Sequence, residues 1–431
     1  RGQSSELAGA REAAEALGLR GSCRAMPATL LPQAPPQENA VSTLALCALF
    51  TLRLEAPFLL PWVAYHQLAG VDQVLLYHDD VSGSWAPSLA EKHADLLSEL
   101  RQRPGVTLFS MSALNLRAQP EQVEHCQAYL QEHNPTPGAT WAGNWDIDEV
   151  AALGRPPADK AAEGADGCKA ASTGTDGQSP EFDLKGMLRT LPPDAVGLYV
   201  PRFTFGATAG DELPAENATE WEQWRVRLNW HTKGKVMWRV GAKVHTSHAG
   251  HNFNFPKARR LYFPDASPFE PPPTRNASDY TAIIQRLEPS EHEGASLPAA
   301  VIPLRLHHYE RRSVAECNRK RVMFDAVSGA YVSHGSGGEK TDRYDVDCAA
   351  PMRMDPMPLI TYSEPDCTVA QHADAVGAAL GEEGRRVVAG ERHYFRKHLQ
   401  RFMDGAEPWD FDAKSSESHM IDDGPAMLSS Q

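Results

Sequence analysis

"TLALCALFTLRLEAPFLLPWVAYHQLAGVDQVLLYHDD", residues 43 to 80, decides how the rest of the chain is read. Its opening, "TLALCALF", is a continuous apolar run of strand length, as expected of a strand covered on both faces. Phe58, Trp62, Tyr65 and Ala69 then fall at helical spacing. Pro57 and Pro61 suit the start of that helix rather than its middle, because proline lacks the N–H that an interior position donates. Gly70 supplies the stop, and "QVLLYH" (73–78) reads as a second buried strand. Strand, helix and strand in so short a span are the pattern of a right-handed βαβ unit on a parallel sheet.

The same alternation continues downstream. "SLAEKHADLLSELRQ" (88–102) predicts one amphipathic helix with Ser88 as its cap, and "GVTLFS" (105–110) a third strand. "PEQVEHCQAYLQEH" (120–133) predicts a helix with Pro120 near its first position, and "ATWAGNWDI" (139–147) a fourth strand. Further strands are expected at 195–205 and 235–240. Ser313 and Glu316 form a capping-box pattern opening a helix over 313–327. A helix over 385–403 is expected to pack on the back of the domain. The expectation is a doubly wound, mostly parallel α/β sheet. Residues 1–40, rich in Ala, Gly and Pro, read as a flexible segment, and 41–330 as one α/β domain. Residues 154–181 read as a low-complexity insert in that domain, and 331–431 as a C-terminal extension.

With 431 residues, 42% hydrophobic and 23% charged, the chain is ordinary for a core-forming protein. Its net charge of −14 argues against broad attraction to nucleic acid or anionic membrane. An anionic ligand would need a metal or a local basic cluster, such as Arg311, Arg312, Arg319, Lys320 and Arg321. Seven cysteines without a CxxC pair do not read as a zinc ribbon or redox motif, and their pairing is not readable from sequence. Two sequons, Asn217-Ala-Thr219 and Asn276-Ala-Ser278, lean toward a secretory compartment. No apolar run is long enough to span a membrane. Position 1 is Arg rather than Met, so the chain is expected to be a fragment whose upstream part held any signal or anchor.

The chemistry concentrates in "TWAGNWDIDEV" (140–150). Ligands of open α/β sheets sit at the carboxyl ends of strands. Asp146 and Asp148, two apart at such an end, would project from one face and hold a hard divalent ion. The plainer reading makes Asp146, Asp148 and Glu149 solvated residues at a helix N-terminus, where the dipole favours anions. A second acidic strand end, Asp79 and Asp80 after "LLYH", tilts the balance toward a shared crevice. His245, His248 and His251 invite a zinc reading, but no H-E-x-x-H accompanies them, and Gly250 interrupts their spacing.

Five stretches, in order over residues 43 to 325, resemble the family 92 glycosyltransferases. They are "EAPFLLPWVAYHQLAGVDQVLLYHDDVSGSW", "WDIDEV", "VPRFTFGATAG", "KGKVMWRVGAKVHTSHAG" and "LRLHHYERRSVAECNRKR". The resemblance implies a GT-A fold with nucleotide-binding and acceptor-binding halves and a divalent metal, Mn2+ or Mg2+, at the D-x-D. It makes Asp148 the direct metal ligand, Asp146 a contact to ribose or metal, and Glu149 their support. His308, before Tyr309 in a returning strand, becomes the third ligand, since Mn2+ accepts imidazole. Asp79 or Asp80 would face the nucleoside, with Glu55 lining the same pocket, while Arg312 and Lys320 would neutralise the diphosphate.

The resemblance also implies inversion at the anomeric carbon, which needs a carboxylate to deprotonate the acceptor. Asp211 and Glu212 are the candidates, with Glu220 a third. The expected donor is a UDP-sugar, galactose first, and the acceptor a hydroxyl of a glycan or polysaccharide. The expected place is the Golgi or another secretory lumen, with membrane attachment through a missing N-terminal anchor. Two other readings stay open. A metal-dependent nucleotidyltransferase or phosphohydrolase would want phosphate-cradling glycines after the first strand, and "FTLRLEAPF" has none. A non-catalytic, sugar-binding scaffold of the secretory pathway would bind no nucleotide.

Overall fold

The computed structural model describes residues 41–79, 87–116, 119–153, 182–206, 227–242, 245–247, 252–254, 260–269, 303–311, 313, 315–316, 369 and 372–405. β1 (Thr43–Phe50) is apolar from Leu44 onward because both its faces are covered. Leu44, Leu46, Ala48 and Phe50 enter one core, while Ala45 and Cys47 enter the other. β2 (Gln73–His78) divides the same way, Val74 and Leu76 against Leu75 and Tyr77. Between them α1 (Leu52–Leu68) lies across the first core.

α1 starts earlier than expected, so Pro57 and Pro61 stand in its interior rather than at its first turn. Each interior proline costs about 3 kcal/mol. Burial of Phe58, Leu59, Leu60, Trp62 and Val63, worth roughly 1.5–3 kcal/mol per large side chain, outweighs that cost. The single helix expected over 88–102 is two, α2 (Pro87–Lys92) and α3 (Ala94–Gln102). The break falls at His93, whose ring is drawn 2.6 Å from a carboxylate oxygen of Glu391.

β3 (Val106–Ser110) completes the parallel set β1, β2, β3. α4 (Gln119–His133) then covers the opposite face with Val123, Cys126 and Leu130, and a Cys47–Cys126 disulfide fastens it to β1. It delivers β4 (Thr140–Asn144) to the other side of β1, again parallel. The order β3-β2-β1-β4 reverses direction between β1 and β4, and their carboxyl ends flank the switch point where open α/β sheets bind ligands.

Beyond β4 the sheet is mixed rather than mostly parallel. It gains β5 (Glu149–Leu153), β6 (Ala195–Gly206), β7 (Arg227–Arg239), β10 (Arg260–Tyr262), β11 (Pro268–Phe269) and β12 (Leu304–Arg311) to reach ten strands among the described residues. β7 lies antiparallel between β4 and β6, and β12 runs parallel to β6 but antiparallel to β5. Parallel neighbours need a crossover, usually helical. The strands after β4 pair in both senses. β8 (His245–Ser247) and β9 (Asn252–Asn254) form a separate ribbon.

α5 (Leu184–Arg189) and α6 (Ala373–Met403) finish the first core. α6 bends at Gly381, whose φ of 69° is open to glycine, and packs Phe395 edge-on against Phe58 of α1. The helix expected over 385–403 is therefore longer and shares the main core. Ser313 Oγ accepts the Glu316 N–H at 3.1 Å, the bond the capping-box pattern predicts.

Candidate active site

β4 ends sooner than the sequence suggests. Its last pair with β1 is Cys47 with Asn144, and the Trp145 N–H donates to the Cys47 carbonyl at 3.1 Å. Asp146 to Asp148 then turn, closed by the Glu149 N–H on the Asp146 carbonyl at 2.9 Å. A strand follows rather than a helix, so the helix N-terminus reading of this acidic run does not hold. The two aspartates do not share a strand face, because they sit in the turn. Trp145 and Ile147 are buried pegs, and the intervening carboxylates are half-buried.

The carboxylates find different partners. Asp146 Oδ2 lies 2.8 Å from Lys235 Nζ, and its Oδ1 accepts from Gln119 Nε2 at 3.3 Å. Asp148 Oδ1 lies 3.5 Å from His308 Nε2, and the Asp148 carbonyl accepts the Tyr309 N–H at 2.7 Å. Glu149 is fully buried. Its Oε1 takes Arg202 Nη1 at 2.5 Å, and its Oε2 takes the Asp146 N–H at 3.0 Å, with Lys235 Nζ at 3.4 Å. Two acids and two cations thus close one network. It is the arrangement a buried charge needs, since an isolated one would cost several kcal/mol.

Among the described residues β5 has only β12 as a paired neighbour, and α1 supplies the other side. Trp62 Nε1 donates to the Glu149 carbonyl at 2.7 Å, and Tyr65 donates its hydroxyl to the Ala151 carbonyl. His66 Nε2 accepts the Ala151 N–H at 3.3 Å, while its Nδ1 donates to the Trp62 carbonyl at 2.9 Å. Burial pushes His66 down to about 3, so the ring stays neutral in this arrangement. The aromatic helix satisfies backbone groups that a further strand would otherwise take.

Glu55 and Asp79 reach the same carboxyl edge. Glu55 is occupied there as a cap, its Oε2 accepting from Thr51 N at 2.7 Å and Thr51 Oγ1 at 2.9 Å. Asp79 follows β2 and donates its N–H to the Phe50 carbonyl at 2.9 Å. Beside it His78 is pushed down to about 3 by burial, although Asp79 pulls the other way. The expected site residues Asp80, Asp211, Glu212, Glu220, Arg312 and Lys320 lie outside the described residues. So do residues 1–40, the 154–181 insert, both sequons, His248 and His251. His245 begins β8.

Sequence reading missed Lys235, Arg202 and Gln119. A signal existed for the first two: a lone cation inside an apolar strand, in "LYVPRF" and "KVMW", has to find a buried acid. Among the described residues no group of three or more His, Cys, Asp and Glu is placed to hold a metal ion. Asp148 and His308 do fit as a pair. Adjacent ligands of an octahedral ion with bonds of about 2.1 Å stand roughly 3 Å apart, close to the separation found here. Asp146, spent on Lys235, does not fit as a third. No protein-family model, curated protein or solved structure matches the chain.

Proposed function

We propose that the protein is a metal-dependent, inverting glycosyltransferase of GT-A architecture, moving a sugar from a UDP-sugar to a hydroxyl of a glycan or polysaccharide. Galactose is the first sugar to try. The observation that carries this reading is the meeting of Asp148 and His308, from chain segments far apart in sequence, at the carboxyl edge beside the β1/β4 switch point. A carboxylate and an imidazole together suit Mn2+.

Within the reading, Asp148 and His308 hold the metal, which would neutralise charge on the departing diphosphate. Glu149 fixes the backbone of the turn through the Asp146 N–H, and Arg202 and Lys235 fix Glu149. Asp79, at the end of β2, is the candidate contact to the nucleoside. Asp211 and Glu212 remain the candidate bases, and Arg312 and Lys320 the candidate diphosphate partners. The buried Cys47–Cys126 disulfide suits an oxidising compartment such as the Golgi lumen. No helix among the described residues is long and apolar enough to cross a membrane, so attachment would depend on another segment.

The test is UDP-sugar turnover with and without Mn2+, repeated on Asp148→Ala and His308→Ala. The reading expects turnover that needs Mn2+ and falls at least a hundredfold in either variant. Turnover indifferent to both metal and Asp148 would sink it, and absence of nucleotide binding would favour a scaffold.

A further inference from the structure

The side chain of Lys235 is wholly buried at the one place where a D-x-D turn would present its first carboxylate to a cation. Its ammonium sits 2.8 Å from Asp146 Oδ2 and 3.4 Å from Glu149 Oε2, while Gln119 takes the other oxygen of Asp146. Both oxygens of Asp146 are therefore engaged by donors fixed on α4 and β7. Asp148 turns to His308 instead.

We propose that Lys235 is a positioning residue that keeps Asp146 out of the metal's ligand set. Among the described residues, the divalent ion is then held by Asp148 and His308, and firmly only when a diphosphate adds its own oxygens. This rests on the metal-dependent reading above and deepens it, by naming how the metal enters. The one carboxylate and one imidazole among the described residues carry a single negative charge, too few donors for a divalent ion that wants about six ligands. A nucleoside diphosphate supplies anionic oxygens, so metal and nucleotide bind with positive coupling, each raising the affinity of the other by the same factor. The resident ammonium thus serves as a fixed positive charge in place of a second metal contact, and the free protein holds little metal.

The experiment measures Mn2+ binding by electron paramagnetic resonance on the full chain, with and without UDP, for wild type, Lys235→Met, Asp146→Asn and Asp148→Ala. Wild type is expected to bind Mn2+ weakly alone and at least tenfold more tightly with UDP. Lys235→Met releases a carboxylate that is about a third exposed and should raise affinity for Mn2+ alone by roughly tenfold or more, the usual scale of changes around a metal site. A merely structural defect would lower it. Asp146→Asn keeps Lys235 beside Glu149 and should leave Mn2+ affinity within about threefold, which decides the matter even if Lys235→Met fails to fold. A tenfold loss in Asp146→Asn, or unchanged affinity in a folded Lys235→Met, overturns the role given to Lys235. If wild type binds no Mn2+ even with UDP, or Asp148→Ala binds as well as wild type, the metal-dependent function itself fails.

Discussion

Replacing Glu149 by glutamine tests the buried network most directly. Glu149 is fully buried between Arg202, 4% exposed, and Lys235, which is wholly buried. The amide keeps the shape but removes the charge that both cations face. Three bonds to the carboxylate are weakened, from Arg202, Lys235 and the Asp146 N–H. Each bond to a charged group is worth about 1.5–3 kcal/mol, but the sum overstates the loss because Lys235 retains Asp146 and the amide oxygen still accepts. Breaking one side of a buried ion pair costs about 3–5 kcal/mol, and that is the expected loss. At roughly 2 °C per kcal/mol for a domain of this size, Tm should fall by about 6–10 °C. Urea denaturation followed by the fluorescence of the buried tryptophans reads it. Removing Arg202 as well, in Glu149→Gln with Arg202→Met, should recover at least about 1.5 kcal/mol of the summed single losses. A single-variant loss below about 1 kcal/mol, or strict additivity in the double variant, would refute this account of the site.

Three other outcomes follow from the geometry. His66 and His78 are held neutral to about pH 3, whereas the unfolded chain takes up both protons near 6.5. The stability these two groups contribute is therefore complete above pH 6.5 and is lost as pH falls from there toward 3, and a His66→Gln variant should show a flatter decline in pH-dependent denaturation. Gly105 has a φ of +74°, and a Cβ there would stand 2.1 Å from the Asp72 carbonyl oxygen, so Gly105→Ala should cost about 2–4 kcal/mol by denaturant titration. A variant within 0.5 kcal/mol of wild type would contradict the close approach of Gly105 to the Asp72 carbonyl. His93→Phe leaves the Glu391 carboxylate buried without its imidazole, so amide exchange along α6 should speed up while β1 and β2 stay protected. Unchanged exchange in α6 would mean that the pair does not fasten that helix.

The first half of the fold was legible because its strands have no choice of face. β1 from Leu44 to Phe50 and β2 from Val74 to Tyr77 are apolar without a break because their side chains turn toward two cores in alternation, and a run of that kind announces both its ends. α1 was misplaced because the proline rule is local, whereas the burial that overrides it is tertiary. Strand direction after β4 was not legible at all. "AVGLYVPRFTF" and "KVMWRV" have the composition of strands, but nothing in either states which way it runs beside its neighbour. At the site, the acidic triplet was visible, as was His308. What could not be read was where each carboxylate points, because Lys235 and Arg202 come from β7 and β6, 89 and 53 residues away from their partners.

The strand β12 closes the sheet by pairing with β5 and β6, and it also brings His308 to Asp148. On the ribosome this imposes an order. Glu149 is made long before Arg202 and Lys235, and His308 follows Asp148 by 160 residues (308 − 148). At about 5–20 residues per second, the acidic turn waits roughly 8–30 seconds for its last partner. Until Arg202 emerges, 53 residues after Glu149, a nascent chain with β1 to β4 already paired carries an acid meant for the interior and no cation to meet it. The emerging protein is then most dependent on folding assistance after β1 to β4 are built and before β6, β7 and β12 arrive.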